Sequence, residues 1–153
     1  MGSRIFLPKD YAERSWPSVE QPVRQGGKLD LQFVVTKLST ARTALASVSA
    51  YARGLDARIT IVALQVVPYP LPLEEPPVHI GVTEQALSVL AAEQPVETAV
   101  EIYLCRDRFE TARQVLKPES TVMIAGSKRW WRSTPEARLG AILQREGHRV
   151  VYV

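Results

Sequence analysis

Short Val- and Ile-rich runs alternate with segments of helical apolar spacing from Leu29 to the end of the chain. A short, nearly continuous apolar run is typical of a strand in a parallel sheet that is covered on both faces. The helical segments between the runs supply the right-handed crossovers that join consecutive parallel strands. The order β-α-β-α-β-α-β-α-β therefore predicts a doubly wound, five-stranded parallel sheet in a three-layer α/β/α sandwich.

The boundaries of these elements follow from local signals. The five predicted strands span residues 31–37, 58–67, 96–105, 121–126 and 148–153. Capping residues, prolines and glycines mark the helix ends. The predicted marks are Ser39 or Thr40 at the start of the first helix and Gly54 at its end, Thr83 at the start of the second, Asp107 with Glu110 at the start of the third, and Ser133 or Thr134 with Pro135 at the start of the fourth.

The N-terminal part of the chain has a different composition. Residues 1–28 contain three prolines and a Gly-Gly pair among scattered charges, which predicts an extended or irregular arm rather than a helix or strand. Ile5, Phe6 and Trp16 are costly to leave in water, so parts of the arm are expected to dock on the domain or on a partner. The predicted division is an arm over 1–28 and one α/β domain over 29–153.

Composition excludes several classes of function. The formal net charge of +3 among 153 residues is too mild for a nucleic-acid binder. The single cysteine, Cys105, permits no internal disulfide, and His79 and His148 are too far apart in sequence to form a metal-ligand cluster. No run approaches 18 apolar residues, and Pro8, Lys9 and Asp10 stand where the apolar region of a secretory signal would have to continue. We expect a cytoplasmic protein without a metal, a membrane insertion or a nucleic-acid partner.

The segment AGSKRWWRST, residues 125–134, connects the fourth predicted strand to the helix that follows it. Such junctions bind ligands in parallel α/β sheets. Three interpretations of this loop remain open. Lys128, Arg129 and Arg132 could hold an anion. Trp130 and Trp131 could anchor a protein partner or pack as a lid over the cleft. The loop could also be a solvated basic turn.

Two stretches resemble the universal stress protein family. VMIAGSKRWW...LGAILQREGHRVVYV is similar to the end of the family's domain, with its Gly-Ser strand end and Val-rich last strand, and residues 31–68 are similar to its beginning. The resemblance covers residues 29–153. It implies a flavodoxin-like sandwich, of the kind called adenine nucleotide alpha hydrolase-like, with a nucleotide cleft and dimerisation through the last strand. The candidate cleft residues are Thr36, Gly126, Ser127, Lys128, Arg129 and Gly140.

The motif residues that would hold ATP depart from the family pattern. Family members that bind ATP have an aspartate at the position of Thr36 and a glycine at that of Lys37. Gly126 and Ser127 match the start of the glycine motif, but Arg129 stands at its second glycine, where the backbone must approach a phosphate. These departures predict that ATP binding has been lost.

The last glycine of the motif, Gly140, comes one residue late, and Ala141 replaces the hydroxyl residue expected after it. Only six residues separate Gly140 from Gly147, which is fewer than two helical turns. The fourth helix must therefore begin near Thr134, and Gly140 is predicted to lie inside it, packed against the sheet.

No catalytic set is identified in the sequence. Cys105 is predicted to be a buried, inert thiol, and His79 a surface residue. The sequence thus predicts a universal-stress-protein-like homodimer that acts as a binding or regulatory module, without enzymatic activity and without a cofactor. The alternative is a stress protein that binds ATP or AMP, with at most slow ATP hydrolysis, in which the Arg- and Lys-rich loop replaces the glycine loop.

Overall fold

The computed structural model describes residues 3–7, 28–126 and 134–153. Within these ranges the chain forms six strands and four helices. The strands are β1 (Ser3–Phe6), β2 (Leu29–Val35), β3 (Ala57–Val66), β4 (Thr98–Cys105), β5 (Thr121–Ile124) and β6 (Arg149–Tyr152). The helices are α1 (Leu38–Gly54), α2 (Ile80–Ala92), α3 (Arg108–Val115) and α4 (Pro135–Arg145).

The described strands form one parallel sheet in the order β1-β4-β3-β2-β5-β6. From β2 the chain moves through β3 to β4 on one side, and it later continues from β5 to β6 on the other side. The winding direction therefore reverses between β2 and β5. In an open α/β sheet, this reversal leaves a crevice outside the carboxyl ends of the two strands.

Helices cover both faces of the sheet. One core joins α1 and α2 to one face, where Phe33 and Leu87 are fully buried. The other core joins α3 and α4 to the opposite face, where Tyr103 and Leu139 are fully buried. Neighbouring strand residues such as Phe33 and Val34 contribute to opposite cores, as the period of a strand requires. The predicted three-layer, doubly wound sandwich is confirmed.

The predicted count of five strands is wrong, because the N-terminal arm contributes a sixth. Residues 3–6 form β1 at the edge of the sheet, where Phe6 pairs with Tyr103 of β4. The ring of Phe6 stacks on that of Tyr103, with centroids 4.8 Å apart. A four-residue strand next to Pro8 carries too little alternation to be predicted from its own sequence. Trp16, another apolar residue of the arm, lies outside the described residues.

The flavodoxin-like description also needs correction. Without β1, the remaining strands have the order third, second, first, fourth, fifth along the sheet. A flavodoxin-like sheet has the order 2-1-3-4-5. The two arrangements have the same layers and the same kind of switch point, so the pattern of strands and helices along a chain does not distinguish them.

Helix caps explain where three of the four helices begin. Asp107 accepts hydrogen bonds from the N–H groups of Phe109 and Glu110, as predicted for α3. Thr134 accepts one from the N–H of Ala137 and is followed by Pro135, as predicted for α4. Helix α2 begins three residues earlier than predicted.

His79 caps α2 by accepting from the N–H of Gly81, so the helix opens at Ile80 and not at Thr83. The predicted capping of α1 by Ser39 or Thr40 is wrong. The residue before α1 is Lys37, which makes no side-chain cap, and Thr40 donates its hydroxyl to the carbonyl of Lys37. The end of α1 at Gly54 is confirmed.

In the parts of the chain that the structure describes, every helix is too short or too polar to cross a lipid bilayer.

The stacked ring of Phe6 predicts how far β1 stabilises the domain. Substituting Phe6→Ala should lower the free energy of unfolding by about 1–2 kcal/mol, because it removes a half-buried aromatic contact. Ile5→Ala is the matched control, since Ile5 is 41% exposed and its substitution should cost less. Urea denaturation measures both, and an equal or smaller loss for Phe6→Ala would contradict the docking of β1.

Candidate functional site

The crevice at the winding reversal collects residues from the ends of β2 and β5. Thr36 and Lys37 follow β2, and Gly126 follows β5 by two residues. Val34 and Ile124 are partners in the sheet, so the segments that follow them lie side by side at the carboxyl end of the strands. Of the six predicted cleft residues, Thr36 and Gly126 are therefore brought together.

Glu136 in the first turn of α4 spans this crevice. Its Oε1 accepts a hydrogen bond from the Thr36 hydroxyl at 3.2 Å and lies 3.8 Å from the Lys37 ammonium group. The Glu136 side chain is only 13% exposed, whereas that of Lys37 is 60% exposed. The hydroxyl is thus the fixed partner, and the exposed cation adds little attraction.

The sequence places Glu136 directly after Pro135, in the first turn of the fourth helix, and gives it no further role. Its partner Thr36 is 100 residues away in sequence, so the contact depends on how α4 packs on the sheet. The available signal was that Glu136 lies two residues after the segment 125–134, which the sequence predicts to lie at a ligand-binding junction. A carboxylate there also lies favourably at a helix N-terminus.

The backbone at Gly126 is already engaged within the protein. Its N–H donates to the carbonyl of Val153 at 2.9 Å, which ties the end of β5 to the last residue of the chain. Its φ of +140° is a conformation that favours glycine. A Cβ at Gly126 would lie 3.6 Å from the Cβ of Glu136, so the requirement for glycine comes from the backbone conformation and not from lack of space.

Gly140 lies within α4 and not in a loop. A Cβ placed on Gly140 would lie 1.9 Å from the phenol oxygen of Tyr152 on β6. The glycine therefore lets α4 approach β6 closely. This position inside the helix was predicted from the six residues that separate Gly140 from Gly147 in the sequence. Burial raises the pKa of the Tyr152 phenol, in keeping with its position under the helix.

Ser127, Lys128 and Arg129 lie outside the described residues, and so do Trp130, Trp131 and Arg132. The predictions that they bind an anion or a protein partner stay predictions.

A shallow depression of about 200 Å³ lies next to the crevice, between the ends of β2 and β3 and the start of α2. Thr36 and Lys37 form part of its wall, and most of the remaining wall is apolar. The Gln65 amide nitrogen donates to the carbonyl of Val78 at 2.8 Å, while its buried oxygen has no hydrogen-bond partner among the described residues. The volume is below the roughly 300–1,000 Å³ that small-molecule sites usually offer.

The structure shows where Cys105 and His79, the cysteine and the histidine considered as reactive groups, lie. Cys105 is fully buried, its thiol lies 3.7 Å from the Gln65 carbonyl, and burial raises the pKa of that thiol. A neutral, buried thiol is a poor nucleophile. His79 is exposed and caps α2, as described above.

A second polar cluster lies at the opposite end of the sheet, where the strands begin. The side-chain oxygen of the buried Gln32 accepts from the Ser120 hydroxyl at 2.8 Å and from the N–H of Lys117 at 2.9 Å. The Ser120 oxygen also lies 3.1 Å from Nδ1 of His148, and burial lowers the pKa of that imidazole. The cluster fixes the starts of β5 and β6 against β2. Residues 3–7, 28–126 and 134–153 contain no group of three or more side chains suited to hold a metal ion.

Comparison with known proteins identifies the architecture. No family model matches the chain, and no curated protein matches it. Among solved structures, a universal stress protein from Archaeoglobus fulgidus matches 84% of this chain and 96% of its own, with a TM-score of 0.53 and 16% sequence identity. The chain shares the universal stress protein fold.

The resemblance predicted from the sequence is thereby confirmed for the fold. At 16% identity the comparison carries no residue-by-residue roles. What the crevice of this universal stress protein fold can bind must therefore be argued from its own residues, in particular from Glu136 and the two engaged glycines.

The contact between Gly140 and Tyr152 predicts an unusual response to alanine. Gly140→Ala should lower the free energy of unfolding by about 1–3 kcal/mol through overpacking, although alanine favours helix by about 1 kcal/mol. Gly54→Ala at the end of α1 is the matched control, because nothing lies within 4 Å of its added Cβ. Thermal and urea unfolding should separate the two, and a Gly140→Ala variant as stable as the wild type would contradict the close contact.

Proposed function

We propose that the protein is a dimeric binding or regulatory module of the universal stress protein type that has lost ATP binding. The module acts through its surface and not through a bound nucleotide. The observation that carries the proposal is that both described glycines of the candidate motif are engaged inside the protein, Gly126 with Val153 and Gly140 with Tyr152.

A phosphate cradle needs free backbone N–H groups, usually at a helix N-terminus. The N–H of Gly126 is used by the end of the chain, and α4 begins five residues before Gly140. The first turn of α4 instead carries Glu136, whose negative charge is unfavourable next to a phosphate. The family resemblance implies a nucleotide site. These features support the proposal that this protein has lost it.

The same proposal assigns the protein no catalytic reaction. Support comes from the structural use of its candidate groups. Cys105 is buried with a raised thiol pKa, His79 caps a helix, and His148 belongs to the polar cluster at the end of the sheet where the strands begin.

Dimerisation is proposed through β6, which ends the sheet on one side. Arg149 and Val153 donate their N–H groups to Ser120 and Ile124 on the β5 side, each at 3.0 Å. Because donors alternate along a parallel strand, the N–H of Val150 points away from β5. An edge of this kind pairs readily with another strand, and a second copy of the same edge is the partner proposed here.

Blocking the outward N–H of Val150 tests the dimer. Val150→Pro should weaken dimerisation at least about tenfold, because proline cannot donate across the edge but is tolerated in edge strands. Val150→Thr keeps the N–H and the branched side chain and should remain dimeric. Size-exclusion chromatography with light scattering measures the mass. A monomeric wild type, or a dimer that Val150→Pro does not weaken, would contradict the proposed interface.

Calorimetric titration tests the loss of nucleotide binding. ATP, ADP and AMP should each bind the wild-type protein more weakly than about 1 mM. Saturable binding at micromolar concentration, weakened by Arg129→Ala, would instead establish the alternative in which the cationic loop replaces the glycines. The Arg129→Ala variant serves as the internal control for that loop.

A further inference from the structure

The Glu136 carboxylate occupies the crevice that other proteins of parallel α/β architecture offer to a ligand. We propose that Glu136 is the residue that determines which ligands this crevice accepts, by excluding those that carry phosphate. The inference deepens the proposed function and rests on it, since it names one side chain that adds to the loss of nucleotide binding proposed above from the two engaged glycines.

The position of Glu136 is held from two sides. Its backbone lies in the first turn of α4, which is anchored on β6 by the Gly140–Tyr152 contact one turn further along. Its carboxylate is held by the Thr36 hydroxyl at the end of β2. With only 13% of the side chain exposed, the carboxylate is a fixed part of the crevice and not a freely moving surface group.

Charge makes this arrangement selective. A phosphate oxygen placed to accept the Thr36 hydroxyl must displace the Glu136 oxygen or lie close beside it. Two like charges about 4 Å apart near a protein surface repel strongly enough to weaken binding by about tenfold or more. Lys37 offsets little of this, because its side chain is 60% exposed and 3.8 Å away.

The neighbouring depression restricts the ligand further. Its volume is about 200 Å³, and Thr36 and Lys37 form its wall on the Glu136 side. A small, uncharged ligand can therefore approach without meeting the carboxylate as a like charge. On this proposal, the charge of Glu136 disfavours a phosphorylated ligand relative to its uncharged counterpart.

The direct test compares ATP with adenosine on the whole protein. Glu136→Gln removes the charge and keeps the shape, and should bind ATP at least about tenfold more tightly than the wild type. Adenosine affinity should change by less than about twofold, because it carries no charge. Chemical-shift titration on isotopically labelled protein measures these weak affinities, and the gain for ATP should decrease as salt is raised.

Two controls isolate the position of the charge. Glu110→Gln removes an exposed carboxylate from the first turn of α3, so it makes the same change in net charge away from the crevice, and it should not improve ATP binding. Glu136→Asp keeps the charge and should still exclude ATP. Should Glu136→Gln not fold, Glu136→Ala carries the same test.

The outcomes separate the inference from the proposed function. Equal ATP affinity of Glu136→Gln and wild type, including the case in which neither titrates, overturns the role of Glu136 and leaves the loss of ATP binding intact. An equal gain from Glu110→Gln, or from Glu136→Asp, also overturns it. Micromolar ATP binding by the wild type overturns the proposed function, and a further tenfold gain in Glu136→Gln would then still support the exclusion.

Discussion

The contact between Gly140 of α4 and Tyr152 of β6 fixes where the last helix lies on the sheet. A single added carbon at Gly140 would come within 1.9 Å of the Tyr152 phenol oxygen, so any larger residue there would require the Tyr152 ring or α4 to shift. With α4 held there, Glu136 one turn earlier reaches the switch point and meets Thr36. One packing contact therefore determines both how the sheet is covered at its end and what occupies its crevice.

Two polar groups at the switch point have hydrogen-bond partners within the described part of the protein. Thr36 donates to Glu136, and the N–H of Gly126 donates to Val153. Buried polar groups normally need such partners, and here the chain supplies them where a ligand could otherwise do so. We propose that this domain keeps its fold without a nucleotide and acts through strand β6, which lies at one edge of the described sheet.

The layers of the fold could be predicted from the sequence because burial on both sides of a parallel strand leaves a nearly continuous apolar run, as in residues 31–35, where only Gln32 is polar. The position of Gly140 followed from simple counting to Gly147. Strand β1 could not be predicted, because its pairing with β4 depends on a distant edge rather than on its own pattern. Glu136 was missed for the same reason: its role arises from a partner 100 residues away.

The central claim is that the protein's own carboxylate fills the crevice and that no phosphate enters it. A crystal structure determined in the presence of millimolar ATP tests this most directly. We predict a Glu136 carboxylate still hydrogen-bonded to Thr36, with no phosphate next to Gly126. A triphosphate bound against Gly126, with Glu136 turned away, would contradict the account.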